Sequence, residues 1–461
     1  KKLGMKIWIY DENSYPSGFA GGHVPAQMPD AARSGLGMNH VSELPATWAA
    51  EALFVLQKSN AGFVDITKDA KSKTFGTGDY YIFTVIRQQP NPWYGGFTYV
   101  DLMRRDVTEK FIDVTMNAYK RAIGNEFGKT VPGVFQDEAE VNPASQPNTP
   151  SINYTPALFK EFESKWKYDL RLQLPSLYED VGEWQRTRHD FYSTILDLFI
   201  DGWAKPYYEY CTKNHLALTG HYWEHEWPLP ARNPDNLALA AYAHMPGIDI
   251  LMNVFQMGTY AQFGNARAVR EIRSSANQLG NRRTMSETFG AGGWDMTFFD
   301  QKRIADWEYV LGVNFLNQHL SYATIKGARK TDHPLSFSYH EPWWSTYNVL
   351  ADYYGRLSVA MSLGAQENRI LVIEPTTTAW MYYASKGDRT RFQEMEKGFQ
   401  IFVDELEGAG APMLPLTPQR DNSGVDSDLS RTKKILLMVP PITLSWASRS
   451  TPSAMPGSLH S

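Results

Sequence analysis

Glu138 and Glu287 each close a short run of β-prone residues, Gly133-Val134-Phe135-Gln136-Asp137-Glu138 and Arg283-Thr284-Met285-Ser286-Glu287, the second followed by Thr288-Phe289-Gly290 and Trp294. A carboxyl group at a strand end can reach a cleft. Two such groups facing each other, one protonated to assist a leaving oxygen and one ionised to attack or to activate water, are what hydrolysis of a glycosidic bond requires. Asp137 beside Glu138 adds a like charge, and their repulsion raises one of the two pKa values, as a general acid near neutral pH needs. On a regular strand Asp137 points away from Glu138, so both reach one rim only at the strand's end. Capping the next helix or pairing with an arginine are the structural alternatives for Asp137.

His221-Tyr222-Trp223-Glu224-His225-Glu226-Trp227 gathers histidines, carboxylates and aromatics into one short segment. It reads as a sugar-lining loop in which His221, Trp223, Glu224 and Glu226 meet hydroxyls and ring faces, and Glu224 or Glu226 is the rival for a catalytic role. A zinc site from His221, Glu224 and His225 lacks the helical His-Glu-x-x-His signature, so no metal ligand is assigned. A calcium ion held by carboxylate oxygens and sugar hydroxyls is compatible with the segment. Asp11 and Glu12 follow the strand Ile7-Trp8-Ile9-Tyr10 and precede a Pro-Ser-Gly turn. They are candidates for orienting hydroxyls, with loop capping as the alternative. Trp294, His319 and His340 complete the candidate rim, although a lone histidine on an apolar strand is more often satisfied within the core. No Gly-x-Ser-x-Gly elbow, P-loop or dinucleotide fingerprint is present, which excludes those nucleophile and phosphate chemistries.

These residues need elements to bring them together. Runs at 5–10, 99–103, 133–138, 216–222, 248–253, 283–287 and 313–320 read as strands. Helical periodicity falls at 106–123, with Asp106 as N-cap, and at 156–166, 180–213, 261–279, 300–311 and 343–363. Strand–helix alternation predicts an α/β fold, a (β/α)8 TIM-type barrel over residues 1–365 that lacks its first strand. Counted that way, Glu138 ends the fourth strand and Glu287 the seventh. Short β runs between 51 and 98 read as a small antiparallel insertion. Residues 366–408 open an accessory α/β domain, and 409–461, rich in Pro, Ser, Thr and Asp, read as a disordered tail.

A net charge of −5, from 45 basic and 50 acidic residues, gives no footprint for nucleic acid or an anionic membrane. No apolar run approaches the ~20 residues that span a bilayer. The single cysteine, Cys211, excludes an internal disulfide and leaves the compartment open. Aromatic residues make up 13% of the chain, with 14 Trp and 25 Tyr. Most serve packing, but those beside strand-end carboxylates suit the stacking of pyranose rings. The partner implied is a carbohydrate; the oligomeric state is left open.

Trp8-Ile9-Tyr10-Asp11-Glu12-Asn13, Tyr15-Pro16-Ser17-Gly18-Phe19-Ala20-Gly21-Gly22, Phe127-Gly128-Lys129 and Val131-Pro132-Gly133-Val134-Phe135-Gln136-Asp137-Glu138 together resemble bacterial glycoside hydrolases of the family 106 α-L-rhamnosidase type. Tyr168-Asp169-Leu170-Arg171, Leu174-Pro175 and Ser286-Glu287 with Phe289 extend the likeness over roughly residues 1–375. The resemblance implies a barrel with its site at the strand ends and cleavage of plant or host polysaccharide side chains. It implies Glu138 as acid and Glu287 as second carboxylate, with Asp11, Glu12, His221 and Glu224 lining the pocket. Inverting, calcium-assisted chemistry follows as an expectation from the same likeness, and a periplasmic or extracellular setting is what it implies for full-length relatives, the localisation of this chain being left open. The rival reading is a degenerate barrel that binds carbohydrate without turnover.

Overall fold

The computed structural model describes residues 1–364, 366, 368, 370–408, 413–416 and 434–436. Its strands in chain order are β1 (Ile9–Tyr10), β2 (Ser34–Val41), β3 (Phe54–Ser59), β4 (Gly62–Asp65), β5 (Tyr80–Arg87), β6 (Gly133–Asp137), β7 (Ser151–Tyr154), β8 (Ala217–His221), β9 (Met245–Ile250), β10 (Met285–Thr288), β11 (Phe315–Gln318), β12 (Ile370–Ile373), β13 (Met413–Leu416) and β14 (Lys434–Leu436). Six of them form one parallel sheet in the order β1-β6-β8-β9-β10-β11. It is curled, so that Trp8, just before β1, and Phe315 on β11 bring their ring centroids to 6.2 Å across it. Both pack with Phe135, Met245 and Met285 in a plug at the floor of the sheet's concave side.

Side chains two positions apart on a strand share a face. The plug residues therefore set which residues line the space above them: Tyr10, Asp137, Asp249 and Glu287 each follow a plug residue by two or four positions along the strand. His221 joins them through its register with Asp137. The opposite faces hold helices. Ile248 and Ile250 pack with Val269 and Ile272 of the helix Ala266–Leu279, and Ser286 donates to Glu308 of Phe298–Leu311 at 2.6 Å. These two helices start where their sequences say they should. Asn265 caps the first through Ala268 N–H, and Thr297 with Asp300 forms a capping box on the second.

Four sequence expectations are corrected here. Tyr99–Met103 is not a barrel strand. Val100 makes an isolated antiparallel bridge with Ala32, because Tyr99 and Asp101 exchange backbone bonds with Arg33 and Ala31 rather than with the sheet. The parallel sheet thus holds six strands among the described residues, with Glu138 just past the second and Glu287 on the fifth; their separation by three strands is as expected. The β insertion is larger than 51–98: its five-stranded sheet, ordered β4-β3-β5-β2-β7, begins at Ser34 and takes its last strand from 151–154. Asp106 lies inside the first turn of its helix, where it pairs with Arg104 at 2.7 Å, rather than at the N-cap.

Beyond the barrel-like sheet, β12 pairs in parallel with β13 and β14 and is followed by helices Thr376–Tyr382 and Thr390–Gly408. The expectation of disorder over 409–461 falls, apart from β13 and β14, outside the described residues.

Candidate active site

The concave side of the sheet ends in a ring of carboxyl groups around one imidazole. His221 is 1% exposed. Its Nε2 faces Glu287 Oε2 at 2.9 Å and Asp137 Oδ1 at 3.6 Å, and its Nδ1 faces Glu138 Oε1 at 3.9 Å. His319 places Nε2 3.8 Å from the other oxygen of Glu287. Tyr10, stacked on Phe135, donates to Asp137, and Tyr15 donates to Glu138. One histidine therefore touches both carboxylates that the sequence singled out.

Glu138 reaches this ring through its backbone. Its φ of +48° is a left-handed turn directly after β6, a conformation costly for a residue with a Cβ and often found at functional sites. The turn overrides strand alternation, so Asp137 and Glu138 enter the same space. Glu138 N–H then donates to the carbonyl of His221 at 3.2 Å, tying the two strand ends together.

The electrostatics separate the carboxyls. Burial pushes Glu138 well above the ordinary carboxylate range, against the lowering effects of His221 and of the Tyr15 hydrogen bond. Asp249 is likewise pushed well up by burial and by Glu287. Burial opposes ionisation of Glu287 too, but its hydrogen bond and charge interaction with His221 win and hold it below the usual range. For His221, burial alone would favour the neutral ring. Glu287, Asp137 and Glu224 outweigh it and raise the imidazole well above its ordinary value. Burial and His221 thus drive the two carboxyls in opposite directions, Glu138 towards its protonated form and Glu287 towards its ionised one.

The sequence profile of the glycoside hydrolase 106 α-L-rhamnosidases matches residues 81–372. The chain belongs to this family. No curated protein matches it. Among solved structures, the rhamnosidase from Novosphingobium sp. PP1Y shares the fold at a TM-score of 0.52 and 17% identity, over 73% of this chain and 33% of that one. The chain thus spans about a third of that rhamnosidase's length. The β-galactosidase from Bacillus circulans sp. alkalophilus superposes at a TM-score of 0.49 and 12% identity, covering 86% of this chain and 56% of that one. The β-galactosidase from Rahnella sp. R3 gives 0.48 and 11%, covering 74% and 52%.

Within this family member the other candidate residues divide. Glu12 sits beside Asp137 and Tyr10, with burial and then Asp137 pushing its carboxyl up to about 9. Asp11 lies beneath the rim: Ser17 and Tyr207 hydroxyls occupy its two oxygens at 2.5 and 2.7 Å. Ser17 Oγ also accepts Asp137 N–H at 2.8 Å, so Asp11 anchors the rim loop. Glu224 is buried and accepts Asp249 N–H at 2.5 Å. Trp223 has the Arg232 guanidinium 3.8 Å from its ring centre, which covers one face. Glu226 is bound to Arg232 at 2.8 Å, His340 to the hydroxyls of Ser338 and Ser336, and Trp294 N–H to the carbonyl of Lys330 at 2.6 Å. Apart from those of Glu224, these contacts lead away from the His221 ring. The zinc trio of His221, Glu224 and His225 gives way to Asp137, His221 and Glu287, whose ligand atoms lie within 4.8 Å of one another.

Three participants escaped sequence reasoning. Asp249 is an acid inside the apolar run Gly247-Ile248-Asp249-Ile250 and could have been flagged on that ground alone. Tyr15 and Tyr207 carried no local signal, since their partners lie 123 and 196 positions away.

Proposed function

We propose that the chain is a glycoside hydrolase that cleaves a glycosidic bond in a plant or host oligosaccharide or polysaccharide, an α-L-rhamnoside being the substrate its family suggests. The observation that carries the reading is that Glu287 and Glu138 face the two ring nitrogens of one buried imidazole, His221, at 2.9 and 3.9 Å, with burial driving the Glu138 pKa up and His221 holding that of Glu287 down. Glu138 supplies the proton to the departing glycosidic oxygen. Glu287, held ionised by His221, serves as the second carboxylate, by attack or by activating water. Tyr10, Asp137 and Glu12 offer hydrogen bonds to hydroxyls of the bound sugar.

Calcium fits the same place. The donors are mostly carboxylate oxygens, the ligands a hard cation prefers, and Glu12 and Asp249 each carry a buried oxygen without a hydrogen-bond partner. Asp137 and Glu287 would hold the ion, which would replace the His221 proton as their counter-charge and orient sugar hydroxyls. Glu138→Gln and Glu287→Gln, assayed on aryl α-L-rhamnosides and a panel of other aryl glycosides, should each lose about 10²–10⁴-fold in kcat while retaining sugar binding. A wild-type chain that binds sugars but turns none over would favour the non-catalytic barrel instead. Unchanged turnover in either variant would overturn these roles.

A further inference from the structure

Four ionisable side chains connect the accessory unit that begins at β12 to the catalytic ring, and none of them is on the rim itself. Glu374, directly after β12, is 1% exposed. Its carboxyl lies against that of Glu271, which is fully buried on the helix Ala266–Leu279. Glu271 accepts from Arg267 through one oxygen and from Asn236 at 2.9 Å through the other. Arg267, 2% exposed, donates its remaining Nη to the backbone carbonyl of Glu224. Its guanidinium also lies 4.9 Å from the ring centre of Trp227, which contacts Phe399 and donates to Thr376 of the accessory unit.

Glu224 is where this chain of contacts meets the site. β8 and β9 pair only at Thr219↔Met245 and Gly220↔Pro246. Past that point, the Glu224 carboxylate takes the Asp249 N–H, joining the loop after β8 to the strand that carries Asp249. Arg267 fixes the main chain of the residue that makes this join.

We propose that Arg267 and Glu374 are positioning residues for the acid–base ring, acting through Glu224, so that the accessory unit beginning at β12 is a working part of the active site. The proposal rests on the glycosidase reading for its kinetic consequences but not for its geometry. Two facing buried carboxyls are stable only if they share a proton. Glu374 holds that proton, raised well above the ordinary range by burial and by the charge of Glu271. It therefore acts as a neutral donor towards Glu271, whose two oxygens also accept from Arg267 and Asn236.

That donor role gives a test which simple packing would not pass. In the full chain, Glu374→Gln keeps a neutral donor and should retain kcat within about threefold. Glu374→Leu keeps the volume but not the donor, and Arg267→Lys keeps the charge but cannot reach both partners. Each of the latter two should lower kcat about tenfold or more, as loss of a supporting residue around a site commonly does, with KM changed less than twofold. Histidine-selective NMR should show the His221 ring resonances displaced in Glu374→Leu and Arg267→Lys and restored in Glu374→Gln. Wild-type kcat and His221 resonances in folded Glu374→Leu or Arg267→Lys would overturn the proposal, as would equal impairment of Glu374→Gln and Glu374→Leu. If the wild type turned over no glycoside, the resonances would still decide the coupling while the glycosidase reading fell.

Discussion

At the scale of single residues, His221 governs what each carboxyl can do. Its hydrogen bond to Glu287 is the main influence opposing burial at that residue. In His221→Gln, Glu287 loses that charge and its pKa rises, so the acidic limb of the kcat/KM profile should move to higher pH and the maximum should fall about 10²-fold. An acidic limb that stays in place would remove His221 from this role. The alkaline limb belongs to Glu138, which must keep its proton. Because the Tyr15 hydrogen bond lowers the Glu138 pKa, Tyr15→Phe should move this limb to higher pH, and a shift downward would contradict the assignment. Much of this ring was legible in the sequence because carboxylates at β-run ends are visible as types and positions. The left-handed turn at Glu138 was not, since it is imposed by the bonds that His221 O and Ser17 make to the end of β6.

At the scale of elements, the site depends on how closely β6 and β8 approach. Gly220 has φ +120°, and a Cβ there would lie 1.9 Å from the carbonyl oxygen of Gln136. No rotamer relieves a contact with backbone. Gly220→Ala should therefore destabilise the fold by about 3 kcal/mol or more, read as a lower urea midpoint with an unchanged slope; a midpoint within error of wild type would refute the close approach. The neighbouring His221 and Glu138 would shift with the strands, so activity should fall with stability. Strand positions such as 133–138 and 283–287 were legible because apolar alternation ends in a polar residue. Tyr99–Met103 has the same composition yet no place in the parallel sheet: with residues 31–33 it forms a largely buried, isolated bridge that no local pattern records. The strand Ser34–Val41 was missed for the complementary reason, since Gly35 and Gly37 dilute its β signal while close approach of Ala144 and Ile86 requires them.

At the scale of the whole molecule, the buried carboxyls make stability fall as pH rises. Burial is the leading cause in each case: Asp137 is pushed up to about 6, Asp11 and Glu224 to about 7, Glu308 to about 8 and Glu12 to about 9. Each group is protonated in the folded chain over a range where the unfolded chain has already released its proton. The folded state binds more protons there, so unfolding free energy decreases with pH from about the ordinary carboxylate range, ~4, until each folded-state pKa is passed. The raised pKa of His221 acts in the same direction above ~6.5. Glu287 acts oppositely: its lowered pKa contributes stability above the ordinary range that is lost as pH falls through its folded value. The two trends place maximal stability near pH 5, and thermal unfolding should show Tm about 5 °C or more lower at pH 9 than at pH 5. Glu12→Gln isolates one contributor, because an amide copies the protonated acid and cannot ionise. Measured in the presence of chelator, so that no bound cation shifts the balance, it should raise Tm at pH 9 and leave it nearly unchanged at pH 5. A wild-type Tm that climbs from pH 5 to pH 9 would mean that the ring is ionised and hydrated in the folded chain, and with it Glu138 would lose the proton its role requires.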